Sequence, residues 1–292
     1  MIPGVQVVDT HFAVETRAVP ARISTAAFKL ADLEKRQRHT LRETPRRHFR
    51  TEAQCLQFVN EVGFCVFFPM HGTPIPNLYD AGGGGFWGEK DSEQWAWGWK
   101  DTLPAKGKCF ATFAIRDCST LVAWETLPAM LAAFRRRQKA PLDADSRRVL
   151  QVLGREGALT KRELRLQFGP STPKNTRRLN AALKTLGSRF QVAVAGGVQE
   201  HWRQHVWDLA ERRIPAAVPR AAKKLSEHAG RVILAERYVR AVVFTTPADL
   251  RWLFQWKKAE GDAVVADLLK SKAVVEAEVT GLEGKFLVSL AK

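Results

Sequence analysis

The residues able to do chemistry lie in three places in this 292-residue chain, and each has an ordinary structural reading beside the chemical one. Asn60 and Glu61 close an apolar-striped segment just before the run Gly63-Phe-Cys-Val-Phe-Phe-Pro69. A carboxylate set against such a run is desolvated, which raises its pKa and suits it to general base work. The ordinary reading is that Glu61 faces solvent. In Gln94-Trp-Ala-Trp-Gly-Trp-Lys-Asp-Thr-Leu-Pro104, Trp95, Trp97 and Trp99 alternate, so the spacing predicts a strand with all three indoles on one face. That face is either core or a platform for stacking nucleobases. Lys100-Asp101 follows as a charged pair within reach of a backbone phosphate or a flipped nucleotide. The third place is His201-x-x-x-His205, whose spacing on a helix would pair two imidazoles. The segment instead reads as hairpin and strand, so no metal site is expected there.

The four cysteines, Cys55, Cys65, Cys109 and Cys118, show no Cys-x-x-Cys spacing and no histidine partner, so buried free thiols are expected. Gly82 to Gly85 lacks the Lys-Ser/Thr of a phosphate-binding loop and reads as a plain loop. No cofactor motif is present in the sequence.

The elements that would hold these groups are clearest between Asp145 and Ile214. Asp145 opens a helix with Val149, Leu150 and Leu153 on one face, and Gly157 stops it. Thr160 and Glu163 stand at capping-box spacing before a short second helix. From Lys174 a third helix turns Leu179, Ala182, Leu183 and Leu186 inward and leaves Lys174, Arg177, Arg178 and Lys184 outside. Two β-like runs, Phe190–Val194 and His205–Leu209, follow around a loop through Gly196-Gly197. Three helices, the last one basic, then a hairpin is the order of a DNA-binding winged helix.

Charge supports that reading. The net charge is +16, and residues 134 to 224 carry 21 Lys and Arg against 7 Asp and Glu, a net of +14. Charge so localised favours phosphate and makes binding salt-dependent. Arg135, Arg136 and Arg137 read as a basic linker into this segment and join the expected DNA contacts. After a proline-bearing linker at residues 212–219 the same element order returns, with strands at 273–279 and 285–290 and a more acidic hairpin. The fold class expected is α+β, with tandem winged helices forming a concave DNA-binding surface. Three domains follow: 1–140 with the candidate site and possible room for a further winged helix, 141–216, and 217–292. No apolar run approaches a membrane span and no signal region is evident, so the reading is cytoplasmic, nucleoid-associated and monomeric.

Three stretches carry a family resemblance: Phe58-Val-Asn-Glu-Val-Gly-Phe-Cys65, Trp97-Gly-Trp-Lys-Asp-Thr-Leu-Pro104, and Val206-Trp-Asp-Leu-Ala-Glu-Arg-Arg-Ile-Pro215. Together they resemble the AlkZ/YcaQ-like winged-helix DNA glycosylases of bacteria. The resemblance implies double-stranded, damaged DNA as partner and hydrolysis of the N-glycosidic bond of alkylated or crosslinked bases, by a monofunctional enzyme without metal or cofactor. Characterised members carry Gln-x-Gln or Gln-x-Asp; the stretch matched to it here is Val59-Asn60-Glu61. Glu61 then positions or activates water and Asn60 assists. Lys100, standing where the family has a histidine, touches the flipped nucleotide, and Trp97 and Trp99 shape the pocket. The rival reading is a winged-helix DNA-binding protein without catalysis, either a regulator or a repair accessory.

Overall fold

Helix caps and glycine stops delimit the elements of the computed structural model, which describes residues 28–84, 96–200 and 202–291. A short strand β1 (Phe28–Lys29) leads into α1 (Leu30–Thr40). The first unit then comprises α2 (Glu52–Val62), β2 (Phe64–Val66), α3 (Leu78–Ala81), α4 (Ala96–Ala105), β3 (Phe110–Ile115) and β4 (Cys118–Val122). The Thr51 hydroxyl caps α2 by accepting from Gln54 N, and Cys55, Phe58, Val59 and Val62 form its buried stripe. Gly63 ends it at φ +81, with Thr126 and Arg237 too close for any side chain. Arg116 and Asp117, both at positive φ, make the tight turn between β3 and β4.

Two short helices, α5 (Leu127–Ala133) and α6 (Arg135–Gln138), connect to the second unit. It runs α7 (Ala144–Glu156), β5 (Leu159–Thr160), α8 (Lys161–Leu166), α9 (Pro173–Ser188), β6 (Val192–Glu200) and β7 (Trp202–Leu209). The expected capping box of Thr160 and Glu163 is formed, and Leu179, Ala182, Leu183 and Leu186 are buried on α9. After α10 (Ala210–Arg213) and α11 (Ala217–Lys224) come α12 (Glu227–Val242), β8 (Phe244–Thr245), α13 (Pro247–Phe254), α14 (Lys258–Lys270), β9 (Val274–Thr280) and β10 (Lys285–Ser289).

The three units repeat one plan: helix, strand, two helices, hairpin. Their sheets repeat it too, in the orders β2-β4-β3, β5-β7-β6 and β8-β10-β9, with β1 added parallel to the outer edge of the last. The units share their cores. Phe64 of the first packs edge-on against Phe254 of the third, and Tyr238 on α12 donates to Pro74 O across the same boundary. One buried cluster unites Cys55 and Phe58 with Val149, Leu183 and Trp207 of the second unit. Gly230 lets α12 lie directly on α5, where a Cβ would stand 2.6 Å from Ala129 O.

Four local expectations are corrected. The segment at Trp97 and Trp99 is helix α4, not a strand. Two residues on a helix turn through about 200°, so the indoles point to nearly opposite sides. Trp97 packs on Phe67 and Trp99 on Phe49, while Trp95 lies outside the described residues. Gly196-Gly197 is not the hairpin loop: both sit inside β6, at a register shift after Val194, and the ladder continues to the Glu200–Trp202 pair. The proline-bearing linker is helical in α10 and α11, and the basic linker forms α6. Among the described residues no helix is long and apolar enough to cross a membrane.

Candidate active site

Helix α4 presents Trp97, Lys100 and Asp101 to the hairpin of the second unit. Trp97 and Lys100 are three apart and share a face, and Lys100 Nζ lies 4.3 Å from the indole centroid. Lys100 donates to Asp101 Oδ2 at 2.7 Å, with the two side chains 3% and 0% exposed. The other carboxylate oxygen, Oδ1, stands 2.6 Å from His205 Nδ1 on β7. One fully buried carboxylate therefore joins a buried ammonium to an imidazole from a different unit.

Glycine makes the approach possible. A Cβ on Gly197 would fall 2.5 Å from Asp101 Oδ2, so only glycine lets β6 close over α4 at this point. Further ties fix the seam. Thr112 Oγ1 donates to Val192 O at 2.7 Å, and Arg213 donates to Pro104 O at the end of α4. Glu52 on α2 accepts from Thr102 and Lys106 on the other side of that helix.

The electrostatics set the state of the imidazole. Burial lowers the His205 pKa below its ordinary value of 6.5; the hydrogen bond that the ring donates to Asp101 opposes this without reversing it, and the Lys100 charge adds to the lowering. His205 is thus neutral at neutral pH. Because Asp101 can only accept, its bond assigns the proton to Nδ1 and leaves the lone pair on Nε2. The ring keeps 19% of its surface open, whereas Asp101 behind it has none. An oriented neutral imidazole backed by a carboxylate is a general base for water or a hydroxyl.

An aromatic layer adjoins this cluster. Phe67 packs edge-on to Trp97 at 5.2 Å and to Phe68 at 4.6 Å, and Phe68 continues to Tyr79 at 5.7 Å. Phe68 itself remains 46% exposed.

The other expected site residues lie elsewhere. Asn60 and Glu61 are exposed on α2. Glu61 faces solvent, the ordinary one of its two readings: it accepts from Arg42 and Gln57, each at 2.8 Å, and serves as counter-ion to that buried arginine. Its helix turns Phe58, Val59 and Val62 inward instead, and Glu61 borders a shallow groove with Lys35, Arg47 and Arg240. Lys100 is buried rather than offered to a phosphate. On α9, Lys174, Arg177, Arg178 and Lys184 are all exposed. Arg178 is held by Asp145 through two hydrogen bonds.

The three consecutive arginines hold the fold together. Arg135 donates to Ala222 O and Leu225 O, and Arg137 donates to Phe254 O while stacking over Phe134. Burial lowers the Arg137 pKa to about 10. Arg136 pairs with Glu227 and Glu260. Guanidinium forks suit exposed carbonyls at helix ends, so part of the basic excess is spent inside the molecule. The cysteines are free, with Cys55, Cys65 and Cys109 buried; burial raises the Cys55 thiol to about 12.

Sequence reasoning missed the Asp101–His205 contact, which spans 104 positions. Its one local signal is the glycine pair inside a strand-like run, a mark of close backbone approach.

With this geometry in place, a family assignment follows from a match of residues 98–292 to the model described as DNA glycosylase AlkZ-like. The chain belongs to the AlkZ-like DNA glycosylase family. The matched region contains Lys100, Asp101, Gly197, His205 and all of α9; Glu61 lies outside it. No curated protein matches the chain. In three dimensions the fold is similar to Streptomyces sahachiroi DNA glycosylase AlkZ, with a TM-score of 0.57 and 15% identity, over 90% of this chain and 70% of that one. Membership of this family implies DNA as the substrate and DNA repair as the setting.

Proposed function

We propose that this protein is a DNA glycosylase that hydrolyses the N-glycosidic bond of alkylated or crosslinked bases in duplex DNA, acting as a cytoplasmic monomer. The observation that carries the reading is the buried Asp101–His205 pair at the seam of two units, inside the family-matched region. The threefold repeat of helix, strand, two helices and hairpin supports tandem winged helices forming a concave DNA-binding surface. In it α9 is the gripping helix, with Lys174, Arg177 and Lys184 on phosphates.

In this mechanism the damaged nucleotide leaves the stack, at a cost of a few kcal/mol that is least for a disrupted pair. Its base lies against the aromatic layer of Phe67, Phe68 and Trp97. His205 Nε2 takes the proton of a water as that water attacks C1′ and the sugar passes through an oxocarbenium-like state. Asp101 stabilises the imidazolium so formed. A base made cationic by alkylation departs as a neutral molecule and needs no acid.

Incubation with duplex bearing N7-alkylguanine or an interstrand crosslink, followed by alkaline cleavage, tests this. Abasic sites are expected with the wild type and lost with His205→Gln. Base release by Glu61→Gln is expected to persist, because its carboxylate already serves Arg42; loss there would return the catalytic carboxylate to α2. No release across a panel of lesions, with salt-dependent duplex binding retained, would favour a binding module without catalysis.

A further inference from the structure

We infer that the basic groove between α1, α2 and α12 is a second phosphate-binding site, which holds the duplex backbone at a distance from the reacting nucleotide. This role rests on the DNA-binding part of the proposed function and on no step of its chemistry. Helix α1 stands outside the threefold plan, and Leu33 is its one buried residue. Asp32, Lys35, Arg36 and His39 fall at i, i+3, i+4 and i+7, the spacing that on a packed helix carries apolar side chains to a core. On α1 that stripe instead lines a groove of about 790 Å³, together with Arg47, Glu61 and Arg240.

The helix is fastened without consuming its cations. Arg36 donates to Ser289 O at 3.0 Å and to Ala291 O at 2.8 Å, Gln37 donates to Val242 O at 2.6 Å, and β1 extends the edge of β9. Of the two carboxylates in the lining, Glu61 is engaged by Arg42 and Gln57, which leaves Asp32 at the start of the stripe. Lys35, Arg47 and Arg240 are exposed and make no ion pair among the described residues. They come from α1, from the loop after it and from α12, so three separate segments bring like charges to one concavity. Such convergence costs repulsion that an anion relieves, and a cleft focuses the field of its walls.

Position favours a nucleic-acid backbone as that anion. Glu52 on α2 holds Thr102 and Lys106 of α4, while Glu61, nine residues on and half a turn round, faces the groove. Two packed helices thus stand between the groove and the His205 seam. At about 10 Å for each, the separation is roughly 20 Å, or about six base pairs of duplex rise. A duplex engaged at the seam passes the groove with its flanking phosphates, and contacts of that kind fix register without reading sequence. An acidic protein would match the same charge, but the substrate of the family is DNA.

Fluorescence anisotropy of the full-length protein with a plain duplex of about 30 base pairs, long enough to span both places, tests this. Lys35→Ala/Arg47→Ala/Arg240→Ala should bind at least about tenfold more weakly at about 50 mM salt. Its slope of log affinity against log salt should be shallower by roughly 2 to 3, or about 0.9 for each phosphate given up. Arg220→Ala/Lys223→Ala/Lys224→Ala on α11 removes the same charge from another exposed face and should stay within about twofold of wild type. Melting temperature serves as the fold control; if the triple variant does not fold, Arg47→Ala alone should shift the slope by about 0.9. Unchanged affinity and slope in the groove variant would overturn the inference and return the groove to a different anionic partner. An equal loss in the α11 variant would also overturn it, because net charge would then be the cause. Wild-type binding that depends on Arg177 and not on the groove defeats this inference alone, whereas a wild type that binds no duplex defeats the DNA reading with it.

Discussion

Replacing Asp101 by Asn isolates the group on which the site depends. The carboxylate is fully buried and accepts from Lys100 at 2.7 Å and from His205 at 2.6 Å. Asparagine keeps the shape and one acceptor oxygen but removes the Asp101 charge from the buried Lys100 ammonium. Breaking a buried pair by removing one partner costs about 3–5 kcal/mol. At about 2 °C per kcal/mol for a chain approaching this size, the melting temperature should fall by about 6–10 °C. Adding Lys100→Met to Asp101→Asn removes both charges and fills the space with a side chain of similar length. That double variant should recover most of the lost stability, because paired charges replaced by apolar groups are often near neutral in stability. It should not recover base release. Without the carboxylate the imidazole loses its orientation and the imidazolium its stabilisation, and the rate should stay about 10²-fold or more below wild type. Thermal melting followed by circular dichroism and single-turnover base release are the two assays. Melting of Asp101→Asn within about 1 °C of wild type would refute the buried-pair argument. Wild-type rates in the double variant would refute the role of the carboxylate.

Three more outcomes follow from the same geometry. Gly197→Ala would place a methyl 2.5 Å from Asp101 Oδ2 and push β6 from α4; base release should drop roughly 10²-fold, as expected of an ångström-scale misplacement, while duplex affinity measured by anisotropy is unchanged. The pH–rate profile should stay level as pH falls to 6.5 and decline below it, because burial lowers the His205 pKa and the base works only when neutral. The linked stability has the same sign. Below 6.5 the unfolded chain binds the proton first, so folding weakens there; His205→Gln should abolish both trends, and an inflection above 6.5 would contradict them. Arg177→Ala and Lys184→Ala should each weaken duplex binding and reduce the slope of log affinity against log salt by roughly 0.9. Arg178→Ala should change both less, because Asp145 already holds that side chain.

Local chemistry was legible in the sequence wherever the physics is local. Thr160 caps α8 through a hydroxyl that reaches a backbone amide three residues on, and Gly157 stops α7 at positive φ. The inward stripe of α9 and its exposed cations follow from helical period alone. The tryptophans misled because alternation sets a face only once the backbone is known to be a strand. Here Trp97 and Trp99 satisfy two neighbours, Phe67 and Phe49, from opposite sides of a helix.

Charge counting located the basic excess in the middle third of the chain, yet composition does not reveal which guanidinium meets a carbonyl. Arg135, Arg137, Arg189, Arg212 and Arg213 all donate to backbone oxygens, and only tertiary contacts draw them there. Glu61 next to an apolar run left two readings open, desolvated or solvent-facing; the turn of α2 exposes it and Arg42 engages it. The candidate site was hidden for a related reason. Asp101 and His205 belong to different units, and what joins them is a glycine whose missing side chain admits a strand onto a helix. Sequence by itself determined the helix ends, the apolar faces and the location of positive charge, because those depend on neighbours within a few residues. The tertiary structure decided which acid meets which base, because that depends on how close two backbones can come.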